Sequence, residues 1–577
     1  MKCYINGIER EVKPKTTILD LAREIGIEIP TLCHMKLDNF CYENKPSSCR
    51  LCMVEVEGRK TLCTACSEEI TEGMVIKTNT PRAVEARKTN LELLLSNHPK
   101  DCLVCPKNLE CELQELANRL GIRMVEYPGE RMTHRIDKSS ASLLRTPEKC
   151  VMCRRCETMC NEVQTVGTLS ALNRGFDAIV APAFQMKLNE SSCTFCGQCA
   201  AVCPTGAIVE VDETHEVLKA IRDENKHVVV QIAPAIRVAI GELFNKAPGS
   251  ITTGKLVTAL RDIGFDTVFD TDFSADLTIM EEASELVDRV VNNKTMPILT
   301  SCCPAWVRFI ETNFPNLLDI PSSCKSPQIM MGAMVKTYYA KQTGIDPANI
   351  VTVSVMPCTA KKAEARRSEL SNDGFRDVDY VISTRELGQM IRYYGIDFDN
   401  LEESEFDNLM GESTGAGTIF GTTGGVIEAA VRTAYELLTG KELENVDFKE
   451  LRGLKGIRSA TIKLGNRDFT IGIAHGLGNA RKLLEEVEED QNKYDAIEIM
   501  ACPGGCIGGA GQPYHHGNSE IIKRRQEALY EIDKNKPIRK SHENPMIQKI
   551  YKDFLGEVYG AKAHELLHTT YTPREKI

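Results

Sequence analysis

Cys150, Cys153, Cys156 and Cys160, followed by Cys193, Cys196, Cys199 and Cys203 with Pro204 behind them, give the spacing C-x2-C-x2-C-x3-C twice in succession. No other feature limits this chain so sharply, because thiolates in this arrangement hold 4Fe-4S clusters and the fourth cysteine of each run ligates the other cluster. One cluster then takes Cys150, Cys153, Cys156 and Cys203, and the other takes Cys193, Cys196, Cys199 and Cys160. Zinc knots do not use four-cysteine runs in this order. The chain has 24 cysteines in 577 residues. Its start, MKCYINGIER, shows neither an apolar core with a small-residue cleavage site nor a twin arginine, so the expected compartment is the cytoplasm and the expected use of the cysteines is metal ligation, not disulfides.

The double run resembles two-cluster bacterial ferredoxins. Upstream, Cys33, Cys49, Cys52 and Cys66, with SCRLC at the centre and TAC behind, fit the plant-type pattern for a 2Fe-2S cluster. The gap from Cys33 to Cys49 is longer than in plant ferredoxins, and Cys41 and Cys63 nearby are read as small buried thiols. A hairpin turning at Asn6-Gly7 and a short helix through Ile18, Leu19, Leu21, Ala22 and Ile25 predict a β-grasp domain around this cluster. His98, Cys102, Cys105 and Cys111 form H-x3-C-x2-C-x5-C between two helical runs, PRAVEARKTNLELLLSNHP and CELQELANRL. A neutral imidazole in place of one thiolate raises a cluster's potential relative to all-thiolate neighbours. Segments 30–111 resemble the N-terminal part of the large iron-sulfur subunit of respiratory complex I.

After Val211 the texture changes to apolar strands alternating with helices: HVVVQIA, TVFD, MPILTS, IVTVSVMP, DYVIS and DAIEIMA predict buried parallel strands of an α/β body. Three of them run into cysteines, at Cys302 and Cys303, Cys358, and Cys502 with Cys506. Parallel sheets place their sites at strand carboxyl ends, so these loops are expected to share one cleft. A net charge of -11, with no long basic block, argues against nucleic acid, and no apolar run approaches membrane-spanning length.

The three loops read TSCCPAW at 300–306, MPCTAKKAE at 356–364 and EIMACPGGCIGG at 498–509. They resemble all three signatures of the FeFe-hydrogenases, TSCCPxW, MPCxxKxxE and ExMxCxxGCxxG. The resemblance implies that Cys303, Cys358, Cys502 and Cys506 hold a 4Fe-4S cluster and that Cys506 also bridges to a di-iron subcluster, together the H-cluster. It further implies CO, CN and azadithiolate ligands on the two irons, hence maturation enzymes as partners. Lys361 and the backbone near Pro234 would hydrogen-bond the cyanides, with Met356, Met500, Gln328, Ser326 and Phe420 lining the pocket, and Gly504, Gly505, Gly508 and Gly509 would let backbone pack close to the cluster. Cys302 would be the last proton donor. Glu282, Glu285 and Arg289 share one helix face, and the implied relay runs Cys302, a water, Glu282, Ser322, Glu285, then Arg289 at the surface. Cys324 is left as structural. Ala305 and Ala235 stand where many family members have glycine and serine.

The expected architecture is multidomain α+β and α/β: a 2Fe-2S ferredoxin-like domain at 1–78, a helical His/Cys3 4Fe-4S module at 79–138, a two-cluster ferredoxin-like domain at 139–212, a two-lobed H-cluster domain at 213–510, and a fused small-subunit-like helical tail at 511–577. The expected activity is 2H+ + 2e- = H2, with ferredoxin or flavin- and NAD(P)-binding subunits as electron partners. No G-x-G-x-x-G follows a strand, so this chain is not expected to bind NAD or flavin itself. The competing readings are a stand-alone ferredoxin-dependent enzyme, a non-catalytic cluster-bearing scaffold, and a hydrogen sensor.

Overall fold

A computed structural model describes residues 1–37, 40, 42–465 and 467–577; Cys41 lies outside them. At the amino end, strands Lys2–Ile5 and Ile8–Glu11 form an antiparallel hairpin. Asn6 and Gly7 both take positive φ at its turn, as a two-residue hairpin needs. Three more strands complete a mixed five-stranded sheet, with Lys2–Ile5 parallel to Met74–Lys77. The helix Ile18–Glu24 starts on a Thr17 side-chain cap and buries Ile18, Leu19, Leu21 and Ala22 against this sheet. The helices Pro81–Asn97 and Glu112–Arg119 follow. The two four-cysteine runs are framed by the antiparallel pair Leu143–Arg145 and Ile208–Glu210.

The body has two four-stranded sheets. The first, ordered Thr267–Asp270, His227–Ile232, Ile350–Met356, Tyr380–Ser383, is wholly parallel. In the second, Ile298–Leu299, Ala496–Met500 and Arg467–His475 are parallel, and Ile457–Leu464 pairs antiparallel on the edge. The six apolar runs named from the sequence are all parallel strands; the hairpin of Ile457–Leu464 and Arg467–His475 was not among them, and its outer strand alternates exposed and covered residues and lacks the apolar run of a doubly covered strand. The 21-residue helix Thr271–Val291 runs through the body and is buried along most of its length. It packs on the helices Pro327–Met334 and Gly425–Thr439.

The two-cluster segment and the second sheet share one apolar core, from Leu143 and Phe195 to Trp306, Ile473 and Met500. That shared core fixes the electron-carrying segment against the body. Ile547, Ile550, Leu566 and Leu567 of the carboxyl-terminal helices insert beside Phe273 and Leu277 of the central helix, so these helices pack on the body. Among the described residues, no helix is long and apolar enough to cross a membrane.

Candidate metal centre

The three cysteine-bearing loops meet. Cys303 and Cys502 are buried and Cys358 and Cys506 half-buried, and other thiols of the set are among the groups that raise the pKa of Cys358, Cys502 and Cys506. Burial pushes all four up, Cys506 to about 12, and repulsion between the thiols adds to the shift for Cys358, Cys502 and Cys506. Four converging sulfurs of this kind become a thiolate donor set when a cationic core binds and takes the place of their protons. Cys303 caps the helix Pro304–Asn313, and the N–H groups of Ala501, Trp306 and Ala305 point at its sulfur.

The remaining letters of each motif have local jobs. Trp306 Nε1 donates to the Thr300 carbonyl at 3.0 Å and clamps the first loop. Lys361 Nζ donates to Glu364 Oε2 at 2.8 Å and to the Cys302 carbonyl at 3.0 Å, tying the second loop to the first. Glu498 accepts from the N–H groups of Gly424 and Ile427 at 2.5 and 3.0 Å, anchoring the third loop's strand to the start of the helix Gly425–Thr439. The glycines pack close to protein backbone: a Cβ on Gly505, whose φ is +98°, would meet the Thr423 nitrogen at 2.6 Å, and one on Gly509 would meet the Pro357 carbonyl at 2.1 Å. Gly509 thereby lets the second and third loops touch.

Around the four thiols, Ser326 Oγ, Gln328 Oε1, Thr300 Oγ1 and Glu282 Oε1 are buried with no hydrogen-bond partner among the described residues. Gln328 Nε2 is held by Glu364 at 3.1 Å, which leaves its oxygen as the unpaired atom. Met356, Met500, Phe420 and Pro234 are buried too. Buried polar atoms are rarely left unpaired, so orphans gathered beside a thiol set fit a group that carries polar ligands of its own.

The relay residues form a chain. Ser322 lies within hydrogen-bond reach of Glu282 and donates to Glu285 Oε2 at 3.0 Å. Arg289 holds Glu285 Oε1 at 2.6 Å. Burial, then the nearby Glu285 charge, pushes Glu282 up to about 8. Burial pushes the Cys302 thiol well up, with Cys506 and Glu282 adding to the shift. Arg289 departs from expectation: it is only 8% exposed, because its guanidinium turns inward to the carbonyls of Thr295, Ile320 and Pro321.

The upstream cysteines are also brought together in sets. Cys33 with Cys49 and Cys52 with Cys66 are hydrogen-bonded pairs, and Cys66 also responds to the Cys33 charge. Cys63 turns its sulfur toward the Val54 carbonyl at 3.9 Å. His98 ends the helix Pro81–Asn97; burial lowers its pKa to about 4, and its Nδ1 has no partner among the described residues, which fits a neutral imidazole. Cys105 acts on Cys111, while Cys102 is exposed. In the double run, Cys150 and Cys156 feel Cys203, and Cys193 and Cys196 feel Cys160, the exchange of fourth cysteines that the spacing predicts. Cys196 also feels Cys303, and Cys502 feels Cys196, so the second run abuts the body's thiol set. At the other end, Cys33, Cys49, Cys111 and Cys153 pack in one apolar cluster.

Sequence reasoning missed the groups that join these parts. Gln164 donates to the Ala501 carbonyl at 3.0 Å and accepts from the Leu477 N–H at 2.9 Å; Thr359 donates to the Phe195 carbonyl at 3.1 Å. His475, which burial lowers to about 4, accepts from the Gly504 N–H. None of these sits in a recognisable motif.

A body with four thiols at converging strand ends, fed by successive cysteine sets, defines an iron-sulfur oxidoreductase. The family described as iron only hydrogenase large subunit, C-terminal domain, matches residues 226–510, and the iron hydrogenase small subunit family matches 519–574. A 2Fe-2S cluster binding domain matches 1–81, an iron-sulfur binding region of the NADH-ubiquinone oxidoreductase G subunit matches 87–126, and a 4Fe-4S binding domain matches 186–209. The NADP-reducing hydrogenase subunit HndD of Solidesulfovibrio fructosivorans is 55% identical over 579 residues, covering 99% of both chains. Iron hydrogenase 1 of Clostridium pasteurianum is 41% identical, covering 98% of this chain and 99% of that one. A solved structure of the FeFe-hydrogenase HydA1 from Chlamydomonas reinhardtii matches with a TM-score of 0.57 and 43% identity, over 63% of this chain and 100% of its own. This chain belongs to the iron-only, or FeFe-, hydrogenase family.

Proposed function

We propose that this FeFe-hydrogenase is the catalytic subunit of an NAD(P)-linked complex, in which partner subunits bind the nucleotide and flavin and exchange electrons with its amino-terminal clusters. The observation that carries this reading is end-to-end similarity at 55% identity to a subunit of an NADP-reducing hydrogenase. Electron bifurcation with ferredoxin is compatible with the same layout. The five segments 1–78, 79–138, 139–212, 213–510 and 511–577 are proposed as its working units, each of the first four carrying cluster ligands.

In this reading Cys33, Cys49, Cys52 and Cys66 hold a 2Fe-2S cluster, and His98 with Cys102, Cys105 and Cys111 holds a 4Fe-4S cluster. The eight cysteines of the double run hold two more, and Cys303, Cys358, Cys502 and Cys506 hold the H-cluster, with its CO, CN and azadithiolate ligands installed by maturation enzymes. When bound, the H-cluster supplies the open iron at which two protons and two electrons combine to H2. The chain's own residues do the rest. Lys361, Ser326 and Gln328 offer polar atoms to the cyanides, the backbone near Pro234 adds another, and Met356, Met500 and Phe420 exclude water. Glu282, neutral at pH 7, lies within hydrogen-bond reach of Ser322, whose hydroxyl donates to Glu285. Its unpartnered Oε1 is free for the water that links it to the Cys302 thiol. Intact Cys302, Glu282 and Lys361 weigh against a scaffold or a sensor.

Two measurements test this. Anaerobic metal analysis of fully matured protein should give about 20 irons per chain, the total for one 2Fe-2S, four 4Fe-4S and one di-iron unit; a value near 14 would remove the cluster count. The isolated chain should evolve H2 from reduced methyl viologen but not from NADH, and robust NADH-driven evolution by the single chain would place a flavin site within it.

A further inference from the structure

The relay as read from the sequence ends on Arg289, and a guanidinium does not give up its proton at any pH a protein survives. Here it is also fully engaged: its donors go to Glu285, Thr295, Ile320 and Pro321, and the side chain is buried. Glu285 needs another group to exchange protons with solvent. Its Oε2 accepts from the Ser323 hydroxyl at 3.1 Å, and the same hydroxyl lies 2.8 Å from Nδ1 of His568, in the carboxyl-terminal tail. The tail is laced to this loop by backbone bonds, Thr569 N–H to the Ser323 carbonyl and Lys325 N–H to the Leu567 carbonyl, both at 2.7 Å. The imidazole is therefore held in place.

Nε2 of His568 lies 2.9 Å from Glu281 Oε2. The groups facing the ring are Glu281 and Glu285 from the central helix, Ser323 and Cys324 from the loop, and Tyr551, Tyr559 and His564 from the tail. His568 is as buried as Arg289, and its link to solvent is His564, an exposed residue whose ring lies tilted against it with centroids 4.1 Å apart. A histidine is the side chain whose charge changes nearest neutral pH.

We propose that His568 is the group that exchanges protons between solvent and Glu285, with the Ser323 hydroxyl handing each proton across. This rests on the relay reading above. For H2 evolution, the imidazolium N–H passes its proton to Ser323 Oγ while the hydroxyl's own proton moves to Glu285 Oε2. One N–H bond breaks, one O–H forms on Glu285, the hydroxyl is regenerated, and hydronium arriving past the exposed His564 returns a proton to the ring. H2 oxidation runs the same steps in reverse.

The test uses the matured full-length enzyme, with saturating reduced methyl viologen, from pH 5 to 9. His568→Gln keeps hydrogen-bonding atoms but cannot carry a charge; turnover should fall about 10-fold or more, the low end of what a placed acid-base group supplies being about 10²-fold with no competing route. Iron content and cluster spectra should be unchanged, and the solvent deuterium isotope effect should grow. His568→Ala should be partly rescued by added imidazole, which a purely structural role would not allow. Wild-type turnover in both variants at every pH, beside an inactive Glu282→Gln, would overturn the His568 exit and leave the relay standing. A fully active Glu282→Gln would overturn the relay reading itself, and this inference with it.

Discussion

Replacing Cys302 with Ser should abolish most hydrogen turnover while leaving the metal in place. The two side chains are nearly the same size, and Cys303, with its helix-terminal N–H donors, still holds its place in the thiol set. Burial keeps Cys302 protonated, so in the native protein it presents a thiol proton beside Cys506. A serine hydroxyl is a far weaker acid than a thiol, whose reference pKa is about 8.5. Losing a placed general acid costs about 10²- to 10⁴-fold, and H2 evolution should fall at least that far. Cys302→Asp should retain more activity, because a carboxyl still donates and accepts a proton. The check is H2 evolution and iron content on the same samples. A Ser variant with normal turnover and normal iron would mean the proton enters another way.

Glu282→Gln should produce a more stable but inactive enzyme. In the folded protein the carboxyl is pushed up to about 8 from its ordinary 4.5, so between those values it is neutral when folded and ionised when unfolded. Its stabilising contribution is complete below about pH 4.5 and is lost as pH rises through about 8. A glutamine carries no such penalty. It should gain on the order of 3 kcal/mol at pH 7, close to nothing at pH 4, and most above pH 8. Turnover should drop by about 10²-fold or more, since an amide cannot pass a proton. Thermal unfolding at pH 5 and pH 8 reads the first effect and H2 evolution the second. A stability gain equal at both pH values would show that the fold does not hold Glu282 above its ordinary pKa.

The cysteine sets were legible because each is written in short runs whose spacing has one chemical use, and the placement of Cys203 beside the first run and Cys160 beside the second follows from the spacing alone. The strand ends at Thr300, Met356 and Met500 were legible because doubly covered parallel strands read as apolar runs. The strand Ile457–Leu464 was not, since an edge strand in solvent carries Arg458 and Lys463 among its apolar residues. Helical spacing put Glu282, Glu285 and Arg289 on one face and said nothing of depth. Arg289 is buried because the loop at Ile320 and Pro321 closes over it, a contact no local pattern reports. The same holds for His568, 245 residues from Ser323. Gln164, which fastens the two-cluster segment to the Cys502 loop, is an unmarked amide until the fold brings Ala501 to it.

The most direct test of the central claim is H2 evolution by the full chain, produced anaerobically with hydrogenase maturation enzymes and assayed with dithionite-reduced methyl viologen. The account predicts sustained turnover, lost when the maturation enzymes are omitted although the iron-sulfur spectra remain. No H2 from a preparation holding about 20 irons per chain would contradict it, for the four body thiols would then bind a cluster without making a hydrogenase.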